Sequence, residues 1–323
     1  MKAILFCINP YAFGILKPLY DELNKRGDDI IWYIPERIAS GFPYSNEVKI
    51  TDSIKSLYDF KSDAIFVPGN EVPQYLRGVK VQVFHGLAGE KKGHFRIRSY
   101  FDLYLTQGPY FTKRFKELAS KHKNFEVVET GWSKLDPLYQ NHSLYKEERD
   151  KLLQQSDKKN LVLFAPTFSP SLTCSVTAKD KIFEIADNEN IFLLIKFHDL
   201  MNKQVVEEYI QMANLRDNVQ IVSDRNILKY MIMSDFMISD TSSVVYEFTL
   251  LNKPVITINS HSENINWCDI VDPSSLHEIF NREFKEDNYK LTRQNIIDQY
   301  HPYADGNSSA RMVDAVENYI RRN

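Results

Sequence analysis

The sequence predicts an α/β protein in two similar-sized halves, each a parallel sheet covered by helices. Three observations predict it. Short, continuously apolar runs recur along the chain, which is the pattern of strands buried on both faces. Amphipathic segments of helical period separate them. The alternation breaks at a charged, glutamine-rich stretch, residues 146–159, and then restarts. A chain of 323 residues is long for one average domain and comfortable for two.

Residues 2–8 read as the first strand. They resemble a signal peptide only superficially: the apolar run is short, lacks a small-residue cleavage site, and leads into an amphipathic segment. That segment, 11–25, places Ile15, Leu16, Leu19, Tyr20 and Leu23 on one helical face, and Gly27 closes it. Further strands are expected at 29–34, 64–67, 79–84, 101–106 and 125–129, with a helix at about 110–120. The second half offers strands at 161–165, 191–197, 219–222, 236–239 and 255–258, with helical patterns between them. An amphipathic helix fills 305–322. The expected divisions are 1–150, 151–304 and 305–323. No run reaches transmembrane length.

With 43% hydrophobic and 26% charged residues, the composition is that of a globular protein. A net charge of -3 gives no global basic field, so no nucleic-acid partner is expected. Cys7, Cys174 and Cys268 are scattered and odd in number. They fit neither a disulfide framework nor a metal knuckle, and point to a reducing, cytoplasmic setting. Metal-type histidine and cysteine spacings are absent, so no metal or cofactor is expected. There is no G-x-G-x-x-G after the first strand, no Walker loop and no G-x-S-x-G elbow. Dinucleotide oxidoreductases, NTPases and acyl hydrolases lose support accordingly.

Two α/β halves suggest a cleft, and ligands of parallel sheets bind beyond the carboxyl ends of the strands. Asp240-Thr241-Ser242-Ser243 sits at such an end, just before a helix. Its hydroxyls and N–H groups suit a pyrophosphate, and Glu247, one turn on, suits a ribose. An ordinary N-cap followed by a surface glutamate would be written in the same letters. His85 ends a strand and precedes Gly86, where a general base has room to work; a structural loop histidine is the plainer alternative. The run KKGHFRIR that follows carries Lys91, Lys92, His94, Arg96 and Arg98. It suits phosphates of an acceptor or of anionic lipid, against the plainer reading of a solvated loop. Lys196 and His198 end a strand of the second half, where a histidine can steady phosphates. Thr167, after Pro166, offers a phosphate donor or another helix cap.

In this order the motifs resemble the CDP-glycerol glycerophosphotransferase family, the teichoic-acid primases and polymerases, from about His85 to the C-terminal end. His85-Gly86 matches the family's His-Gly. Gly131-Trp132-Ser133-Lys134-Leu135-Asp136 is similar to its Gly-aromatic-Pro-x-x-Asp, with Ser for Pro. Pro166-Thr167-Phe168-Ser169 resembles Pro-Thr-aromatic-Arg without the arginine. Lys196-Phe197-His198-Asp199 stands for Lys-x-His-Pro. Asp240-Thr241-Ser242-Ser243 with Glu247 stands for Asp-Tyr-Ser-Ser and its following acid. Asp305-Gly306 through Arg311 matches Asp-Gly-x-x-Ser-x-Arg.

The resemblance implies a GT-B architecture. Two Rossmann-like domains, an acceptor domain and then a nucleotide-donor domain, would flank a cleft, with the final helix crossing back to the first. It implies transfer of glycerol phosphate, or a related polyol phosphate, from a CDP-linked donor to a polymer or lipid-linked acceptor, with release of CMP. His85 would be the base, His198 would steady the donor phosphates, and Ser242 and Ser243 would hold the pyrophosphate. Lys91, Lys92, Arg96 and Arg98 would meet acceptor phosphates or the inner face of the cell membrane. Where the family has Thr-Pro-Leu-Lys after His-Gly, this chain has Leu87-Ala88-Gly89-Glu90-Lys91. With the lost arginine and Glu247, that keeps open a second reading, a GT-B glycosyltransferase or epimerase using a UDP- or CMP-sugar.

Overall fold

The computed structural model describes residues 1–87, 94–140, 142–188, 190–224, 226–261 and 265–323. Contacts divide the chain into two compact units, Met1–Gln140 with Asp298–Asn323, and Asn141–Ile297. Each is built on its own parallel sheet.

In the first unit the strands are β1 (Lys2–Phe6), β2 (Asp29–Tyr33), β3 (Ile50–Thr51), β4 (Ala64–Val67), β5 (Val79–Gln82), β6 (Leu103–Thr106) and β7 (Glu126–Glu129). They lie in the order β3-β2-β1-β4-β5-β6-β7. β1 pairs in parallel with β2, Lys2 opposite Asp29, and with β4, Ala3 opposite Ala64. The order therefore reverses between β1 and β4, the switch point at which loops from neighbouring strands diverge and leave room for a ligand. The apolar runs are strands for the expected reason: β1 and β4 are buried on both faces, so no polar alternation is needed.

The helix Ala12–Lys25 buries Ile15, Leu16, Leu19 and Leu23 on the sheet, and Gly27, at φ +81°, ends it. Helix Ser308–Arg322 lies against it, burying Met312, Val313 and Val316. Arg26 joins the pair through Asp314 at 2.6 Å and the Ala310 carbonyl at 3.3 Å.

The second unit has β8 (Asn160–Phe164), β9 (Ile191–Ile195), β10 (Val219–Ile221), β11 (Phe236–Ser239), β12 (Val255–Ile258) and β13 (Asp269–Val271). Their order, β10-β9-β8-β11-β12-β13, reverses between β8 and β11. The charged stretch around 146–159 forms much of a helix, His142–Ser156, within this unit. Its charges are used in place: Arg149 grips the Asp235 carboxylate at 2.8 and 2.9 Å and the Met233 carbonyl at 3.0 Å. The lysine of the Lys253-Pro254 step before β12 is also internal. Its ammonium donates to the carbonyls of Met231, Ile232 and Ser234, closing the end of helix Ile227–Met233. Among the described residues no helix is long and apolar enough to cross a membrane.

Candidate functional site

His85 stands just beyond β5, exposed, and its position is set by backbone. Phe84 before it takes φ +61°, a left-handed conformation that costs an aromatic residue about 1–2 kcal/mol. Packing holds it there: the Phe84 ring stacks on His94 and meets Phe115, with centroids at 5.5 and 5.0 Å. Buried Gln82 accepts from the Phe84 N–H at 3.3 Å and donates to the Gly69 carbonyl at 2.9 Å. That turn presents the imidazole to the loop after β4, where His85 Nδ1 lies 2.8 Å from the Pro68 carbonyl. A carbonyl only accepts, so Nδ1 carries a proton, and in the neutral ring Nε2 keeps the lone pair. The Tyr11 ring, from the loop after β1, lies 5.2 Å from the imidazole.

Gly86 makes no close approach, since a Cβ there would meet open space. Its carbonyl accepts from Gln107 at 3.0 Å. Arg98 donates to Asn70 at 3.2 Å and so joins the segment that anchors His85, while Arg96 is exposed. Lys91 and Lys92 lie outside the described residues. His94 is enclosed by Phe84, Phe95, Phe111 and Phe115. Burial, helped by the nearby His85, pushes its pKa down to about 4.

In the second unit His198 follows β9, exposed, with the Phe168 ring 4.4 Å away. Here the Leu200 N–H donates to Nδ1 at 3.1 Å. Nδ1 is the acceptor, so the neutral ring carries its proton on Nε2, opposite to His85. Burial, opposed by Asp199 and assisted by Lys196, holds its pKa below the ordinary value. Lys196 itself is buried and donates to the Phe197 carbonyl at 2.7 Å.

The Asp240 corner follows β11, at this sheet's switch point. Asp240 is 0% exposed, and its two oxygens accept the N–H groups of Thr167 (2.9 Å) and Cys174 (3.0 Å). It braces the loop after β8, and burial raises its pKa against those bonds. Thr167 caps no helix, since the next one begins at Lys179. Thr241 accepts the His261 N–H at 3.1 Å. Ser243 stands at the N-cap of helix Val244–Thr249 without a capping hydrogen bond, and Glu247 is 5% exposed. Capping thus fails to explain the serine, and Glu247 is no surface residue.

The remaining motifs are architectural. The Asp136 carboxylate accepts the N–H groups of Ser308 (2.8 Å) and Ser309 (2.7 Å), capping helix Ser308–Arg322. Arg311 returns the grip: it donates to the Thr130 carbonyl at 2.8 Å, pairs with Asp305 at 2.7 Å, and covers the Tyr303 ring at 4.3 Å. Gly131 has φ +83°, and a Cβ there would lie 2.4 Å from Ser308 Oγ. The Trp132 N–H donates to buried His301 Nε2 at 3.0 Å.

The family profile described as CDP-Glycerol:Poly(glycerophosphate) glycerophosphotransferase matches residues 76–264, more than half of the chain. The chain belongs to this family. It is 25% identical over 243 residues to the teichoic acid glycerol-phosphate primase of Bacillus subtilis (strain 168), covering 70% of this chain and 60% of that protein. It is 25% identical to the teichoic acid ribitol-phosphate polymerase TarK of Staphylococcus aureus, covering 97% of this chain and 67% of TarK. The chain thus spans about three fifths to two thirds of the length of these relatives.

Among solved structures, the wall teichoic acid polymerase TagF superposes with a TM-score of 0.72 at 16% identity, covering 100% of this chain and 89% of that one. UDP-GlcNAc 2-epimerase from Neisseria meningitidis gives 0.72 at 16%, covering 98% and 100%. The fold class is therefore α/β of the GT-B type, as the motifs implied. Sequence reasoning passed over Asn9, Tyr11, Arg37 and Asn70 as site residues. Asn9 and Tyr11 follow β1, Asn70 follows β4, and Arg37 lies in the short helix Glu36–Ala39 after β2; position after a strand was the available signal.

Proposed function

We propose that the protein transfers glycerol phosphate, or a related polyol phosphate, from a CDP-linked donor to an acceptor hydroxyl of a cell-surface polymer. The observation that carries this reading is the opposite hydrogen bonding of Nδ1 in the two exposed histidines. His85, its Nδ1–H held by Pro68, offers a basic Nε2. His198, its Nδ1 occupied by the Leu200 N–H, offers an Nε2–H donor. Phosphoryl transfer to an alcohol needs one of each. The acceptor oxygen attacks the phosphorus that bears the polyol, and His85 Nε2 takes its proton. The bond from that phosphorus to the bridging oxygen breaks, and CMP leaves with the electron pair. His198 and the hydroxyls of Thr167, Ser242 and Ser243 hold the diphosphate, with Glu247 at the ribose. Asp240 positions the Thr167 loop, and Lys196 supports the strand end that carries His198. Family membership supports the cytidine donor, and the acceptor would be reached at the inner face of the membrane.

A thermal-shift screen of CMP, CDP, CDP-glycerol, CDP-ribitol, UDP and UDP-sugars tests it, because a ligand bound only by the native state raises Tm. Cytidine ligands should raise Tm and uridine ligands should not. If uridine ligands alone do so, Glu247 becomes the ribose acid of a sugar-nucleotide enzyme and the polyol reading fails. Co-sedimentation with anionic vesicles at low salt tests membrane contact, and no binding there removes it.

A further inference from the structure

His85 is held through both of its neighbours in the chain. Before it, Phe84 keeps φ +61°, a backbone state that an aromatic residue leaves unless something pins it. The pins are rings. Phe84 stacks on His94 at 5.5 Å and 11°, and His94 lies 5.2 Å from Phe111. Phe111 meets Tyr300 edge-on at 5.3 Å, and Tyr300 stacks on Tyr110 at 4.9 Å. After His85, the Gly86 carbonyl accepts from the Gln107 amide at 3.0 Å. Gln107 is buried, and Gly108 beside it seats Tyr300: a Cβ there would lie 2.4 Å from the Tyr300 carbonyl oxygen. Both supports therefore end on the loop after β6 and the start of helix Pro109–His122.

His94 is the unexpected member. The run KKGHFRIR reads as cationic, yet this ring stays neutral down to about 4 because it is buried. Its Nε2 is closed off from solvent and has no hydrogen-bond partner. What that side chain gives Phe84 is the flat face of a ring.

We propose that His94 and Tyr300 are positioning residues for the transfer. The rings of Tyr300, Phe111 and His94 form a strut that fixes the Phe84 turn, and through it the His85 ring against the Pro68 carbonyl. This rests on the transferase reading above and adds what keeps its base usable. Neutral His85 can take a proton on Nε2 only while Nδ1 holds the other one. Nδ1 does so because the turn sets it 2.8 Å from that carbonyl. If the strut gives way, Phe84 relaxes to an ordinary negative φ and the ring leaves the carbonyl. Its proton is then free to sit on either nitrogen.

Nitrogen-15 NMR of histidine-labelled protein, with neither donor nor acceptor added, reads the place of that proton. At pH values well above about 6.5 an ordinary imidazole is neutral. There the signals that vanish in His85→Gln should show Nδ1 protonated and Nε2 bare in the wild type. His94→Ala and Tyr300→Leu should each turn the pattern into a mixture of both forms, and His94→Phe should restore it. In turnover of the CDP-linked donor, the first two variants should lower kcat roughly 10- to 100-fold with the donor KM unchanged. His94→Phe should keep the wild-type rate. Thermal melts show whether each variant is folded, and His94→Leu takes the place of His94→Ala if that one is not. An unchanged pattern in the folded variant without a ring at position 94 overturns the proposal. So does a mixed pattern in His94→Phe, because polarity rather than the ring would then be at work. A wild-type His85 protonated on Nε2 overturns it as well. The NMR result needs no substrate and the nucleotide screen reads the donor separately, so failure of the strut is distinguishable from failure of the transferase reading.

Discussion

At the residue scale, the decisive groups are two ring nitrogens and what each is bonded to. Glutamine places its amide nitrogen near the position of a histidine Nε2 and can donate there, but it cannot accept a proton at neutral pH. His198→Gln should therefore retain part of the transfer rate, whereas His85→Gln should lose roughly 10²–10⁴ in kcat, as should His85→Ala. Steady-state rates of CMP release measure both. Equal losses would remove the distinction between base and donor. The sequence showed that both histidines end strands, and family resemblance implied their roles. It could not show which nitrogen bears the proton, because that depends on the Pro68 carbonyl and the Leu200 N–H, which reach the rings only through the folded backbone. Arg37 was illegible for a similar reason: forty-eight positions before His85, it meets the same sheet edge through the parallel pairing of β1 with β2 and β4.

At the element scale, two motifs far apart in sequence prove to be halves of one fastening. Asp136 caps the helix Ser308–Arg322, and Arg311 of that helix holds the Thr130 carbonyl. Asp136→Ala would leave two buried N–H groups without acceptors, at a cost of about 2–4 kcal/mol. Hydrogen exchange across that helix should accelerate, while exchange in β8 and β11 should stay as in the wild type. Gly131→Ala should act in the same direction, because its φ of +83° and the Ser308 hydroxyl both oppose a Cβ. Strands were the most legible elements, since double burial writes them as unbroken apolar runs. The short edge strands β3 and β13 escaped, with too few residues to make such a run. The charged 146–159 stretch suggested a boundary because its helix is exposed along most of its length, and the Arg149–Asp235 pair that fixes it spans 86 residues.

For the molecule as a whole, stability should depend on pH through buried histidines of the first unit. Burial holds His94 and His301 at about 4. The unfolded chain protonates such rings as pH falls through about 6.5, while the folded chain keeps them neutral until about 4. Their contribution is thus complete above about 6.5 and is lost between there and 4, at most on the order of 3 kcal/mol for each ring. Denaturation midpoints across this range should fall with pH, and His301→Gln should flatten the decline. A flat wild-type profile would contradict the burial of both rings. The division of the chain also bears on how the protein is made. Thr130, Gly131 and Asp136 leave the ribosome before any of the second unit, while their partners Ser308, Ser309 and Arg311 emerge only after all of it. The first sheet must wait, one covering helix short, while the later unit has everything it needs to close. Nascent chains stalled just past Ile297 should therefore carry a protease-resistant second unit behind a first unit that is still readily cut.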